Sequence, residues 1–172
     1  MQSQVYINQA LGQPGTISRL NPIDKIPVVA EGSAVVAGGF VFEGTDPETQ
    51  VIGCSATTAS KTAADIAGVA VLEGFQLALG NVTGMTINEG HELAKVRKGY
   101  VYVVSNTAST HGQNVIVNPS TGVIETQNIT YTTTVSGSSL ETTSDIKSGF
   151  IDTGWLVETG GAAGQVCEIY KI

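Results

Sequence analysis

The chain carries two histidines, His91 and His111, and two cysteines, Cys54 and Cys167, the residue types that most often ligate metals or act as nucleophiles. A zinc site needs three or four such ligands, and its signatures are HExxH or paired CxxC spacings. Neither occurs: the histidines are separated by a strand's length and a turn, and the cysteines lie far apart. Each histidine therefore reads as a surface residue beside a turn. The cysteines read as two buried thiols in a reducing compartment, although a disulfide between them stays open.

Nucleophile motifs are also missing. No G-x-S-x-G occurs, and "GCSAT" and "SGSS" sit in turn-like surroundings with no adjacent base. Asp24, Asp46, Glu48, Asp65, Glu141 and Asp145 mostly stand beside glycine, proline or serine, as carboxylates on solvated loops do. The glycine-rich "TGGAAG" would need a following helix to cradle a phosphate, yet "QVCEIYKI" reads as a β-branched strand. No catalytic residue, metal or cofactor is expected.

Positive charge is concentrated in "HELAKVRKGYVYVV", where Lys95, Arg97 and Lys98 supply three of the eight basic residues. Against a net charge of −7 this trio is too small for nucleic-acid binding, which rests on neutralising phosphates. Nucleic acid and anionic membrane are excluded as partners. The trio is a solvated strand face, or a docking point for an acidic protein. The amino terminus lacks a signal-peptide pattern, and no run approaches the roughly 18 apolar residues of a spanning helix, so a soluble, unsecreted protein is expected.

The elements that must position these residues are strands. With 172 residues, 13% of them charged and 6% aromatic, and many glycines, threonines and valines, the composition favours strands and turns in one domain. Residues 1–27 are polar and punctuated by Pro14-Gly15, Asn21-Pro22 and Pro27, the pattern of an arm lying on its own domain or on a neighbour. Two short strands follow between Val28 and Phe42, divided by Glu31-Gly32-Ser33. A short helix is expected over Ala59–Ala67, capped by Ser60, before the strand "IAGVAVL". A further apolar segment, "FQLALGNVTGMTI", precedes the basic stretch.

In "HELAKVRKGYVYVV", Ala94 and Val96 alternate with Lys95 and Arg97, the period of a strand with one wet side. A kink is expected at Gly99. Tyr100, Tyr102 and Val104 then share one face and Val101 and Val103 the other. "NVIVNPSTGVIET" encodes a hairpin turning on Asn-Pro-Ser-Thr-Gly. Asn128–Asp145 reads as a Thr/Ser-rich strand with a loop at Gly137-Ser138-Ser139. Two last strands flank "TGGAAG", with Trp155 packing just before it. The expected fold is all-β, a β-sandwich or β-barrel of jelly-roll type with an extended arm (1–27), a single domain (28–172) and at most one short helix.

Four segments in order resemble the structural cement, or capsid decoration, proteins of tailed bacteriophages: "GQPGTISRL" (Gly12–Leu20), "DIAGVAVLEG" (Asp65–Gly74), "GHELAKVRKGYVYVV" (Gly90–Val104) and "VNPSTGVI" (Val117–Ile124). The final hairpin has the family's shape as well. The chain departs from the pattern at Tyr102, where the family often has tryptophan, and at Ile116, where an aromatic is common. The resemblance implies a non-enzymatic module on the outer surface of the virion's icosahedral head, bridging major capsid proteins as a homotrimer, with a homodimer as second choice. On that reading Gln13, Pro14, Gly15, Thr16, Ile17, Ser18, Arg19, Leu20, Lys95 and Arg97 contact the shell or a sister subunit. The competing reading is a carbohydrate- or host-surface-binding module of a tail or fibre, with Trp155 and the tyrosines stacking on sugars. A small β-fold hydrolase ranks third.

Overall fold

In the computed structural model, residues 12–72, 82–83, 86–136 and 139–172 are described. They form fourteen strands: β1 (Ile17–Ala30), β2 (Val35–Val36), β3 (Phe40–Glu43), β4 (Gln50–Gly53), β5 (Ile66–Val71), β6 (Val82–Thr83), β7 (Thr86–Ile87), β8 (Glu92–Val104), β9 (Asn114–Val117), β10 (Ile124–Gln127), β11 (Tyr131–Ser136), β12 (Ser139–Ser144), β13 (Ile151–Thr159) and β14 (Val166–Lys171). The fold is all-β, as composition and periodicity predict.

Nine strands hydrogen-bond in the order β1-β4-β3-β5-β8-β14-β13-β9-β10, and β1 also pairs with β8. That extra pairing closes β1, β4, β3, β5 and β8 into a five-stranded ring, which protects the edges an open sheet would expose. All contacts in the ring are antiparallel except β1 with β4. Strands β14, β13, β9 and β10 extend from the far half of β8, while β11-β12 and β2-β7-β6 form two smaller sheets.

Alternate residues of β3, β5 and β8 enter two different cores. Phe40, Val69, Val71, Ala94 and Val96 face a cluster completed by Val101, Val103, Val115, Val117, Trp155, Val157, Cys167 and Ile169. Val41, Ala67, Ala70 and Leu93 face a second cluster with Val28, Ala30, Val35, Val51 and Ile87. A strand wall buried on both sides explains the nearly unbroken apolar runs "FVF" and "IAGVAV". It also corrects the expected wet face of β8. Lys95 lies opposite Ala70 and Ile26, in phase with Leu93, and is only 2% exposed.

The kink expected in β8 is present. Strand β5 pairs with Ala94–Val96, whereas β14 pairs from Gly99 to Val104, so the partner changes across Arg97–Lys98. Gly99 has φ +132°, and a Cβ there would sit 3.0 Å from the Pro22 carbonyl. The register of β1 against β8 also shifts here, between Arg19 and Asp24, forming a bulge that carries Leu20.

The amino-terminal stretch is bound to its own domain from Gly12 onward. Pro14-Gly15 seats against Ala37-Gly38 so closely that a Cβ at Gly15 would lie 2.8 Å from the Gly38 nitrogen, and Gly15 has φ +77°. Gly15 N–H donates to the Tyr102 carbonyl at 2.9 Å and its own carbonyl accepts from Leu72 N–H at 2.9 Å. Strand β1 runs unbroken through the boundary expected at residue 27. Residues 1–11 of the expected arm lie outside the described residues.

The expected helix at Ala59–Ala67 is absent. Two 3-10 turns, Ala56–Thr58 and Ala63–Asp65, take its place. Ala59, Ser60, Ala63 and Ala64 are exposed, so a helix here would have no apolar face to bury and could not repay its nucleation cost. The caps are Ser55, whose N–H donates to Thr58 Oγ1, and Thr62, whose N–H donates to Asp65 Oδ2, rather than Ser60.

Other expectations hold in detail. Val117 pairs with Ile124 across the NPSTG turn, and Asn118 Oδ1 accepts from the backbones of Ser120 and Thr121 at 3.0 Å each. The carboxyl-terminal strands are β13 and β14, and Trp155 is fully buried, its ring edge-on to Phe40 at 6.3 Å. The segment Asn128–Asp145 holds two strands, β11 and β12, where one is expected, and its loop residues 137–138 lie outside the described residues. Most of "FQLALGNVTGMTI" is likewise outside them.

Candidate interaction surface

The residues expected to make contacts divide into three groups. Gln13 to Thr16 cross β8 and cover Tyr102, against whose ring Gly12 packs. Ile17 to Leu20 open β1, where Ile17 pairs with Val101 and packs against the core and Arg19 pairs with Tyr100. Leu20 projects at 81% exposure, the largest value among exposed large hydrophobics of the described residues.

Arg19 organises the outer face. Its Nη2 lies 2.9 Å from Glu158 Oε1, its Nε lies 3.2 Å from Glu168 Oε1, and the guanidinium sits 4.2 Å over the Tyr100 ring. Tyr100 in turn stacks on Tyr170 with centroids 5.6 Å apart. Glu168, only 5% exposed, also accepts from Ser18 and from Thr159 Oγ1, so a buried carboxylate has its partners in place. His111 lies at the edge of this group, with Nδ1 2.9 Å from the Glu158 carbonyl. Glu158, Glu168 and Tyr170 were not singled out from sequence. They come from β13 and β14, and only the strand order brings them to β1.

Lys95 and Arg97 do not form a joint surface. Arg97 is half exposed and its Nη2 pairs with Asp24 Oδ2 at 2.8 Å. Lys95 instead directs Nζ to the Pro47 carbonyl at 3.0 Å and to Glu43 Oε2 at 3.3 Å. As a buried residue it is withdrawn as a contact.

None of this resembles a reaction centre. Among the described residues no group of three or more His, Cys, Asp or Glu side chains could hold a metal ion. The thiols are unpaired: Cys167 is buried and Cys54 partly so, and burial pushes the Cys54 thiol up to about 11, which suppresses its nucleophilicity at neutral pH. The carboxylates read as solvated loops do structural work. Asp65 closes a 3-10 turn with its acid strengthened by hydrogen bonds from Thr62, and Asp145 accepts from the Thr130 backbone at 2.8 Å. A sugar-stacking role for Trp155 is contradicted by its complete burial, while the Tyr100 ring is taken up by Tyr170 and Arg19.

Two comparisons bear on what such a surface serves. The family model for "Structural cement protein (E217 gp24/Pam3 gp6)" matches residues 1–171. Among solved structures, a chain described as "The capsid of Myoviridae Phage XM1" superposes with a TM-score of 0.62 at 14% identity, covering 99% of this chain and 96% of that one. At that identity the likeness is one of fold. No curated protein matches.

Proposed function

The chain belongs to the structural cement protein family, and from that premise we propose that it sits on the outside of an icosahedral head and ties neighbouring major capsid proteins together. Its role is structural, stabilising the capsid, and its place is on the virion. The observation that carries the proposal is the family match across residues 1–171.

The physical chemistry supports the finer points. A net charge of −7 disfavours contact with packaged DNA and suits a position outside the shell. The polar side chains around Arg19 are engaged with one another, as in a rigid surface preshaped for docking. Interfaces of about 800 Å² per partner become effectively permanent when an oligomer grips several lattice points at once. We assign the shell and sister-subunit contacts to Gln13–Leu20 and Arg97, in a homotrimer first and a homodimer second, without catalysis or cofactor.

The test uses heads stripped of the protein and purified full chain added back. Co-sedimentation with saturable stoichiometry is expected. Arg97→Ala, at an exposed position, should leave the circular dichroism spectrum intact and weaken binding about tenfold or more. Unchanged binding would remove Arg97 from the interface, and failure of the unmodified chain to sediment with heads would overturn the proposal itself.

A further inference from the structure

A cavity of about 380 Å³ opens where β8 changes partner. Strand β5 leaves β8 at Val96 and β14 joins it at Gly99, so on that side no described strand pairs with Arg97 or Lys98. On the other side Lys98 stands opposite Asp24 and Val96 opposite Lys25, which makes Arg97 the extra residue of a bulge. Consecutive residues of a regular strand point to opposite faces. A bulge re-aims one of them, and here Arg97 and Lys98 both line the same cavity. Lys171, opposite Gly99 on β14, joins them from across the gap.

Three of the chain's eight basic residues therefore meet at one place on a protein of net charge −7. The two carboxylates in the lining are already engaged, Asp24 with Arg97 at 2.8 Å and Glu43 with Lys95 at 3.3 Å. Among the described residues neither Lys98 nor Lys171 has an ion-pair partner; Lys98 is exposed, and Lys171 Nζ donates to the Thr153 carbonyl at 3.4 Å. An anion is repelled by most of this surface and drawn to the two unmatched ammonium groups, whose field the cavity walls focus. Ile66, Ala67 and Trp155 supply apolar lining beside them. A carboxylate on a short aliphatic stem meets both features, with its oxygens at the lysines and its methylenes on the apolar lining. A phosphate polymer fits less well, because it lacks such a stem and brings further charges against Asp24, Glu43 and the acidic surroundings.

We propose that this cavity receives side-chain carboxylates from an acidic segment of a partner protein, with Lys98 and Lys171 as the binding residues. The inference deepens the capsid reading and rests on it for the partner's place in the head, but its chemistry is tested on the isolated chain, so the two can fail separately. Trp155, the chain's single tryptophan, lines the cavity and reports its occupancy. At low ionic strength a hexaglutamate peptide with blocked ends should change the tryptophan emission saturably, with matching heat in calorimetry. Lys98→Ala and Lys171→Ala should each weaken that binding about three- to tenfold, and raising salt from about 20 to about 200 mM should weaken it as well. Lys61→Ala, the same loss of charge outside the lining, should change it less than about twofold, with native circular dichroism throughout.

No saturable response by either method, or affinity unchanged in both lysine variants, would overturn the proposal. So would tighter binding of hexametaphosphate at equal charge, which would give the cavity to a phosphate-bearing partner. On heads that carry the chain, carbodiimide coupling should join Lys98 or Lys171 through an amide to an aspartate or glutamate of the major capsid protein, located by peptide mapping. Amides formed there only through other lysines would contradict the assignment.

Discussion

Replacing Trp155 with alanine is expected to lower the free energy of unfolding by about 3–5 kcal/mol, the cost of deleting a fully buried large aromatic. The indole is 0% exposed, lies edge-on to Phe40 and belongs to the core shared by the β3-β5-β8 wall and the outer sheet. Its loss opens a cavity in that core which hydrogen bonding within the sheet cannot fill. For a chain of this length the melting temperature should fall by about 10 °C or more. Trp155→Phe keeps most of the volume and should cost clearly less. Urea unfolding followed by far-ultraviolet circular dichroism measures both, and equal midpoints for the alanine variant and the parent would show that the two layers do not share one core.

The second large effect is expected at Lys95. Its side chain is 3% exposed, spans the end of the five-stranded ring and bonds the Pro47 carbonyl and Glu43. Lys95→Ala removes the packed aliphatic stem together with both bonds and leaves the Pro47 carbonyl without its donor, at a cost of about 2–4 kcal/mol. Lys95→Met keeps the stem but gives up the ammonium and both of its hydrogen bonds. With the packing of the stem retained and the partly exposed Glu43 able to turn to water, that variant should cost less than alanine, about 1–2 kcal/mol for the Pro47 carbonyl left without a donor. Denaturant midpoints separate the two outcomes. If alanine and methionine are equally mild, the residue is not the packed plug described here.

Lys95 also marks where sequence reading stops. The alternation Ala94-Lys95-Val96-Arg97 correctly assigned the faces of β8, since Ala94 and Val96 do share a core. It could not show that the opposite face is buried too, because the ring closes through β1, β4 and β3, contacts set by long-range pairing. Arg97, one step further along that face, is past the ring's cover and remains exposed. The turn at Asn118–Gly122 and the kink at Gly99 were legible because their chemistry is local: an asparagine side chain closing a turn, a glycine at positive φ.

The missing helix has the complementary reason. Alanine-rich residues have the propensity, yet nothing presses against them, and propensity alone does not hold a helix of that length. Of the candidate interaction surface, Gln13–Leu20 was legible as a polar stretch needing support, and most of that support is the domain itself. The partners that fix Arg19, namely Glu158, Glu168 and Tyr100, come from three different strands. No spacing in the chain announces such a cluster.

A preformed, charge-networked outer face with few flexible polar groups suits a protein whose contacts must persist on a shell under internal pressure, where many modest interfaces act together. The most direct measurement is the thermal rupture of purified heads with and without this protein, followed by release of packaged DNA to an intercalating dye. Heads carrying it should rupture at a higher temperature than stripped heads, and adding back the purified chain should restore the difference. Rupture at the same temperature in all three samples would contradict a capsid-stabilising role.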